Sequence, residues 1–347
     1  MQVNIGIIGC GSISRYRHAP EYAQNKNCKI VAFSDPFLNR AEELAQSYSA
    51  AAYDDYKKII NDPSIDAVSV CTPNATHASI AIEALQAGKH VLCEKPMAIN
   101  TSQAKAMMEA AKKSKKILMP AHNQRLFPAH KKVKELIDSG SLGEIFTFRA
   151  SFKHKGPEVW SADHGNHTWF FDKNASFVGV MADLGVHKID LIQWFLGEQI
   201  TSVVASARTF DKRGSSGELI DVEDNSIILC NTDSGKTGII ETSWTNYGKE
   251  DNSTVIYFEK GVVKLYCDPE YDLIIEGKDG SVSCHKLVGV STNDCQISSG
   301  IIDEFVDSIV NGKPAPITAE DGYYSIAVVE ACVESANQSI WKEVSKL

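Results

Sequence analysis

The regular alternation of short apolar runs and helical segments in the first third of the chain most constrains its fold. The runs VNIGIIG, KIVAFSD, DAVSVCTP, HVLCEKP and KILMPA each have the length and composition of a buried strand. Helical segments such as NRAEELAQSY and HASIAIEALQAG separate these runs. This alternation predicts βαβ units, and therefore a doubly wound parallel sheet with right-handed crossovers.

The pattern changes after Gly143. The segments EIFTFRASF, SVVASARTF, NSIILCNTD, TGIIETSW, STVIYFEK, GVVKLYC and YDLIIEG predict strands joined by turns, with one helix around MADLGVHKIDLIQWFLG. We therefore predict a large, open, mainly antiparallel sheet in a C-terminal α/β domain. The predicted division is a nucleotide-binding domain over residues 1–122 and a domain for substrate binding and oligomerisation over residues 123–347. The last helices are expected to pack back on the first domain.

A glycine-rich turn follows the first predicted strand. The stretch IGIIGCGSIS places Gly9, Gly11 and Ser14 in a G-x-G-x-x-S arrangement that opens a helix. The first glycine permits the tight turn, the second lets the backbone approach a pyrophosphate, and the helix N-terminus favours the phosphate charge. We predict a dinucleotide site of the Rossmann type that includes Ser12 and Ile13. The alternative is a tight βα turn without a ligand.

The second predicted strand ends at Asp35. A carboxylate at this distance from the glycine turn binds the 2′-hydroxyl of the adenosine ribose and repels a 2′-phosphate, which favours NAD. Arg40 lies about one helical turn further on, where a cation would soften this preference. NAD is therefore the predicted cofactor, and NADP remains open.

A lysine stands at the end of the strand HVLCEKP. Burying Lys95 without a partner would be costly, so a purely structural role is unfavourable. Cofactor crevices in open parallel sheets lie at the carboxyl ends of the strands, where Thr72, Pro73 and Asn74 also fall. We predict that these residues line the cofactor crevice, and that Lys95 stabilises the alkoxide that develops on a reacting hydroxyl.

The helix MADLGVHKIDL carries Asp183 and His187 at positions i and i+4, which share one helical face. A histidine beside a carboxylate is a general base, and we predict this role for His187. An interior histidine bonded to Asp183 is the alternative. A zinc site that also uses His164 and His167 is a further alternative, but no tight ligand spacing demands it, and no metal is predicted.

The stretch FKHKGPEVWSADHGNHTWFF combines aromatic and polar residues. Trp160, Trp169, His154 and His167 would suit a sugar-like ligand, and we predict Trp160 and His167 as substrate contacts. A loop that packs its own aromatic side chains would have the same composition.

Charge and composition exclude several classes of partner. The formal net charge is −9, which argues against nucleic acid and against an anionic membrane. No run approaches the roughly 20 apolar residues of a membrane span. The nine cysteines form no C-x-x-C pair, and the N-terminal sequence lacks the features of a signal peptide. These features predict reduced thiols and a cytoplasmic location.

The chain resembles the Gfo/Idh/MocA oxidoreductases, the family of glucose–fructose oxidoreductase and inositol dehydrogenase, over nearly its whole length. The most specific block is VSVCTPNATHASIAIEALQAGKHVLCEKPMAIN, with E-K-P at Glu94, Lys95 and Pro96. The segments HNQRLFPAH, MADLGVHKIDLIQWFLGE and IIDEFVDSIVNGKPAPITAEDGYYSIAVVEACVESA resemble other parts of the family pattern.

The resemblance implies that Lys95, Asp183 and His187 form the catalytic trio. His187 would accept the proton, Lys95 would bind and polarise the hydroxyl, and Asp183 would contact the substrate or tune His187. The nicotinamide side would be lined by Thr72, Asn74, His77 and Glu94, and the rim of the nicotinamide and substrate sites by Arg125. The family fold also implies a homodimer or homotetramer formed through the C-terminal sheet.

The implied activity is hydride transfer between NAD(P) and a secondary hydroxyl or keto group of a sugar, sugar derivative or cyclitol such as inositol. Two alternatives remain: glycoside cleavage with transient oxidation, and a dinucleotide-binding regulator without chemistry. The sequence departs from the family pattern at one place. Many members carry three glycines shortly before the catalytic aspartate, and here Phe177 and Val178 occupy two of these positions. We expect a bulkier wall there, which leaves the exact substrate open.

Overall fold

The computed structural model describes residues 2–287 and 298–347. Its first sheet has six parallel strands in the order β3-β2-β1-β4-β5-β6, the arrangement of a Rossmann domain. The strands are β1 (Val3–Ile8), β2 (Cys28–Ser34), β3 (Ala51–Tyr53), β4 (Ala67–Val70), β5 (His90–Cys93) and β6 (Leu118–Pro120). The predicted parallel sheet is confirmed. The edge strand β3 was missed because three residues are too short to show a strand pattern.

Helices connect these strands. They are α1 (Ala19–Gln24), α2 (Leu38–Tyr48), α3 (Lys57–Ile60), α4 (Asn74–Gln86) and α5 (Thr101–Ser114), and α6 (Pro128–Asp138) follows β6 and leads out of this sheet. A π-type segment, Ser14–His18, leads directly from the glycine turn into α1. The apolar faces of α1 and α2 pack on β1 and β2. Because all six strands are parallel, their carboxyl ends lie at one edge of the sheet.

The second sheet has nine strands in the order β14-β13-β12-β11-β7-β10-β9-β8-β15. They are β7 (Ile145–Lys153), β8 (Ile200–Arg208), β9 (Asn225–Thr232), β10 (Thr237–Ser243), β11 (Thr254–Phe258), β12 (Gly261–Leu265), β13 (Leu273–Gly277), β14 (Val282–His285) and β15 (Lys342–Glu343). All neighbours are antiparallel except β7 and β10, which are parallel. The predicted mainly antiparallel sheet is confirmed, and the short strands β14 and β15 were missed.

The described residues contain four further α-helices. They are α7 (Lys173–Ser176), α8 (Val186–Leu196), α9 (Ile301–Asn311) and α10 (Ala319–Gln338). Short 3₁₀ turns occupy Asn123–Leu126, Pro157–Val159, Gly165–His167 and Trp169–Phe171, and a π-type turn at Met181–Gly185 leads into α8. Nearly every side chain of α8 is buried between the second sheet and α10. A helix held on all sides gives fixed positions to the side chains that it carries.

The last two helices pack against the first domain. Ile301, Phe305 and Val306 of α9 share a hydrophobic core with Val3 and Ile5 of β1, and α10 packs against α5 and β6. The two sheets are therefore joined by the end of the chain as well as by residues 121–144. In the described ranges, no helix is long and apolar enough to cross a membrane.

Candidate active site

The glycine turn is held in place by backbone geometry and by Asp35. Gly9 has φ +94°, and a Cβ atom there would lie 2.5 Å from the carbonyl oxygen of Cys71, so only glycine fits. The Asp35 carboxylate accepts hydrogen bonds from the backbone N–H groups of Cys10 and Phe37, each at 2.9 Å. The same carboxylate that is expected to bind the ribose therefore also fixes the turn.

A cavity of about 510 Å³ runs along the carboxyl ends of the parallel strands. All but one of the predicted cofactor residues line it: Gly9, Gly11, Ser12, Ile13, Asp35, Arg40, Thr72, Pro73, Asn74, His77, Glu94 and Lys95. The space beside Gly11 is open, as close approach of a pyrophosphate to the backbone requires. Asp35 and Lys95 lie on the lining of one continuous cavity. These residues therefore fit a dinucleotide with its adenosine near Asp35.

His77 ties together two of the strand ends that border this cavity. Its Nδ1 lies 2.8 Å from the carbonyl oxygen of Pro96, and its Nε2 lies 2.7 Å from that of Thr72. The bond between Lys95 and Pro96 is cis. His77 thus connects the backbone that follows β4 to the backbone directly after Lys95, and so supports the position of Lys95.

Lys95 bridges the two domains. Its Nζ donates to Asp183 twice, to Oδ1 at 2.8 Å and to the backbone oxygen at 2.9 Å. The other carboxylate oxygen of Asp183 accepts from Trp244 Nε1 at 3.0 Å. Because an ammonium group has three donors, the described contacts leave one N–H of Lys95 for a ligand.

A close backbone approach fixes the position of Asp183. A Cβ atom at Gly179 would lie 2.1 Å from the carbonyl oxygen of Glu223, so this position also requires glycine. The Glu223 carboxylate accepts from the N–H groups of Gly179 and Met181 at 3.1 Å and 2.9 Å. Burial raises the pKa of Glu223 to about 6. This anchor, which lies 44 residues along the chain from Gly179, carried no sequence signal.

A second, smaller cavity of about 90 Å³ adjoins the first. Ser12, Ile13, Lys95, Trp160 and Asp183 line both cavities. The smaller cavity is also lined by Tyr16, Arg17, Asn123, Gln124, Phe127, Phe152, His154, Leu184 and His187. Lys95 and Asp183 therefore lie at the junction of the two cavities, and His187 lines the smaller one beside them.

His187 is neutral in this setting. Burial lowers its pKa well below the usual value, and the nearby cation Lys95 lowers it further. Its Nδ1 has no hydrogen-bond partner in the described chain. The interpretation of Asp183 as its direct partner is not supported, because Lys95 and Trp244 occupy the Asp183 carboxylate. A neutral imidazole, with one ring nitrogen free to accept a proton, is nevertheless what a general base requires.

Sequence reasoning missed a buried polar network behind Lys95. His18 Nε2 lies 2.9 Å from Glu94 Oε1, and Arg17 Nη1 lies 3.8 Å from the same oxygen. Burial would raise the pKa of Glu94, but His18, Arg17 and Lys95 lower it to about 2. Glu94 is thus ionised beside the cavity. The sequence signal that could have revealed this network is the polar run SRYRH, residues 14–18, in a helical segment that had to pack on the sheet.

Two predicted residues lie outside both cavities. Arg125 donates to the Asp190 carboxylate through Nε at 2.8 Å and through Nη2 at 2.6 Å, and its Nη2 is 3.0 Å from Asp321. His167 is exposed and its Nδ1 contacts Ser215 at 2.8 Å. The structure therefore does not place Arg125 at the predicted rim of the nicotinamide and substrate sites, and it does not place His167, the predicted substrate contact, on the lining of either cavity.

The zinc alternative lacks a cluster of ligands. His164 and His167 line neither of the cavities that contain Asp183. Across residues 2–287 and 298–347, no group of three or more His, Cys, Asp or Glu side chains could hold a metal ion.

The two departures from the glycine pattern do not narrow either cavity. Phe177 ends α7 with φ +70°, a conformation that favours glycine, and its side chain is 37% exposed. Val178 is buried in the core, and neither residue lines a cavity. The expected bulkier wall is absent from both cavity linings.

The fold and the adjoining cavities define a two-domain dinucleotide-binding protein. A family model described as "Oxidoreductase family, NAD-binding Rossmann fold" matches residues 3–122, and one described as "GFO/IDH/MocA C-terminal domain" matches residues 130–264. The chain belongs to the Gfo/Idh/MocA family of oxidoreductases.

Named relatives match almost the whole chain. Levoglucosan dehydrogenase of Pseudarthrobacter phenanthrenivorans is 28% identical and covers 99% of each chain. Myo-inositol 2-dehydrogenase of Thermotoga maritima is 25% identical and covers 97% of each. The solved structure of a levoglucosan dehydrogenase in complex with NADH and levoglucosan has a TM-score of 0.88, with 25% identity over all of both chains. The predictions of an NAD cofactor and of a dehydrogenase that acts on CH–OH groups are confirmed.

Proposed function

We propose that the protein oxidises a secondary hydroxyl of a sugar, a sugar derivative or a cyclitol such as inositol, with NAD as the hydride acceptor. One observation carries this proposal. Lys95 and Asp183 line both the cofactor cavity and the smaller cavity, so a hydroxyl bound by Lys95 stands at their junction. Bound NAD supplies the electrophilic nicotinamide carbon that accepts the hydride.

Lys95 is the group that binds the reacting hydroxyl in this proposal. Asp183 holds its Nζ through two contacts, so the ammonium group is oriented before the substrate arrives. The remaining N–H donates to the hydroxyl oxygen and stabilises the negative charge that develops as the proton leaves. As the O–H proton leaves to the base, the C=O bond forms and the carbinol carbon gives up its hydrogen as a hydride to the nicotinamide.

His187 accepts the hydroxyl proton. Its low pKa keeps the imidazole unprotonated at neutral pH, so no proton has to be removed first. A general base in position typically contributes about 10²–10⁴ in rate. The proton acquired by His187 must then pass to water, because burial disfavours the imidazolium.

The lining of the smaller cavity suits a polyhydroxylated ring. Trp160 and Phe152 offer flat apolar surfaces, and Asn123 and Gln124 offer amide donors and acceptors. Trp160 Nε1 and Gln124 Oε1 are buried without a partner in the part of the chain that the structure describes. Unpartnered groups of this kind carry a desolvation cost, so a small rotation of either side chain toward a substrate hydroxyl in the cavity would be favourable.

The test is formation of NADH, followed by absorbance, over inositols, aldoses, anhydrosugars and alkyl glycosides. We expect turnover within one of these classes and no release of nitrophenol from nitrophenyl glycosides. Nitrophenol release without net NADH would favour glycoside cleavage with transient oxidation. No reaction on any compound, with NAD binding intact, would contradict the proposal and favour a regulator.

We further propose a homodimer or homotetramer formed through the open face of the second sheet. Leu229, Ile239 and Val255 are half-buried and lie in one row across β9, β10, β7 and β11, in which Arg149 of β7 stands between Ile239 and Val255. Ile227, two residues from Leu229 on β9, is 56% exposed. Covering this row removes apolar surface from water. Sedimentation should find an oligomer that Leu229→Asp dissociates, and a wild-type monomer at micromolar concentration would contradict the proposal.

A cytoplasmic location is also proposed. The eight described cysteines are free thiols, six of them buried, while Cys295 lies outside the described residues. Thiols of this kind suit a reducing compartment. Fractionation of the source cells, with the protein recovered outside the cytoplasm, would contradict this location.

A further inference from the structure

Residues 160–163 of the second domain reach across the cleft and form a wall of the cofactor cavity; we call them the strap. Ser12 Oγ donates to the carbonyl oxygen of Trp160 at 3.0 Å, which fixes one end of the strap on the glycine turn. Arg40 Nη2 donates to Asp163 Oδ1 at 2.5 Å, which fixes the other end on α2. All four strap residues line the cofactor cavity.

The strap has a defined shape. Ser161 is 2% exposed, and its Oγ lies 2.9 Å from both the carbonyl oxygen of Asp163 and the hydroxyl of Thr168. The position of the Asp163 carboxylate is therefore set by the strap itself as well as by its ion pair with Arg40.

Arg40 stands where dinucleotide preference is decided. It lies five residues after Asp35, lines the same cavity, and rests over the Phe37 ring at 4.6 Å. In Rossmann domains a carboxylate at the end of this strand binds the 2′-hydroxyl of NAD, and a nearby arginine accommodates the 2′-phosphate of NADP. This chain carries both the carboxylate, Asp35, and the arginine, Arg40, and the Arg40 guanidinium forms an ion pair with Asp163.

We propose that Asp163, a residue of the second domain, sets the preference for NAD over NADP. Its carboxylate binds Arg40 in place of a 2′-phosphate, and it adds a second negative charge to the cavity that Asp35 lines. The two carboxylates outweigh one guanidinium, so an additional phosphate meets net repulsion. The inference rests on the dinucleotide cofactor alone and is independent of the substrate and of the roles given to Lys95 and His187.

The test is the dissociation constant of NAD⁺ and of NADP⁺, measured by calorimetry without any sugar, for the wild type and for Asp163→Asn. The substitution keeps the side-chain shape and removes the charge. We expect the Kd for NADP⁺ to fall about five- to tenfold, as the removal of one partly screened charge predicts, and the Kd for NAD⁺ to stay within about twofold. An unchanged affinity for NAD⁺ also shows that the variant is folded.

Two further variants sharpen the result. Glu43→Gln is the control: Glu43 pairs with Arg15 at 2.6 Å on the first domain, and both residues lie outside the two cavities. This substitution should change neither the Kd for NAD⁺ nor the Kd for NADP⁺. Adding Arg40→Gln to Asp163→Asn should return the Kd for NADP⁺ to near the wild-type value. An unchanged ratio of the two constants in Asp163→Asn would overturn the proposal. So would an equal loss of both dinucleotides, or a gain for NADP⁺ that persists without Arg40.

Discussion

Two buried pairs of a cation and a carboxylate join residues of the N-terminal half to one helical segment of the second domain. Lys95 contacts Asp183 in the π-type turn that leads into α8, and Arg125 contacts Asp190 within α8. The two aspartates are seven residues apart, or about two helical turns, so they lie on similar sides of the segment. The pairs share their chemistry and differ in what surrounds them.

The difference lies in the donors that remain. The ammonium group of Lys95 keeps one donor beyond its contacts with Asp183, and its side chain is 15% exposed and lines both cavities. The planar guanidinium of Arg125 is 7% exposed, binds Asp190 through two nitrogens and also contacts Asp321 of α10. A point charge with a spare donor can act on a ligand, whereas a planar clamp with its carboxylates in place holds elements together.

The largest effect on stability should come from the clamp. Arg125→Met leaves the buried Asp190 without its cation, and we expect a loss of about 3–5 kcal/mol in the free energy of unfolding, measured with urea. The folded fraction should bind NAD⁺ with a Kd within about threefold of the wild type, because Arg125 lines neither cavity.

The matched control for this prediction replaces both partners. Adding Asp190→Leu removes the unpaired carboxylate, so part of the lost stability should return. A variant Arg125→Met that unfolds like the wild type but binds NAD⁺ poorly would give Arg125 the cofactor role that the sequence predicted.

A smaller effect concerns the pH dependence of kcat/KM. His187 acts unprotonated, and its pKa is well below 6.5, so the acid limb of the profile should begin well below pH 6.5. Activity should fall only as the pH drops through this lowered pKa, because the base then acquires its proton before the substrate binds. An acid limb centred at pH 6.5 or above that is attributable to His187 would contradict the assignment.

The cofactor cavity could be predicted from the sequence because its parts are local. The glycine turn, Asp35 and the residues around Lys95 each follow a strand that is recognisable by its own pattern, and a parallel sheet brings all strand ends to one edge. The strand order 3-2-1-4-5-6 then places them along one cavity. No long-range contact had to be known for this part of the lining, whereas the strap and Asp183 reach the cavity from the second domain.

The partners of the polar side chains could not be predicted in this way. The spacing of Asp183 and His187 predicted a direct pair, but Lys95, 88 residues away in the chain, takes the carboxylate. Arg125 was expected at the rim, but Asp190, 65 residues away, draws it into the core. Both choices depend on tertiary contacts that neither periodicity nor motif spacing encodes.

The most direct test of the account compares the two pairs by single-turnover formation of NADH with saturating NAD⁺ and substrate. Lys95→Met and Arg125→Met are measured side by side and corrected for the folded fraction. We predict that Lys95→Met is slower by about 10³-fold or more with little change in the Kd for NAD⁺, and that Arg125→Met stays within about threefold of the wild type. A rate for Lys95→Met within about tenfold of the wild type would contradict the assignment of Lys95 as the group that activates the hydroxyl.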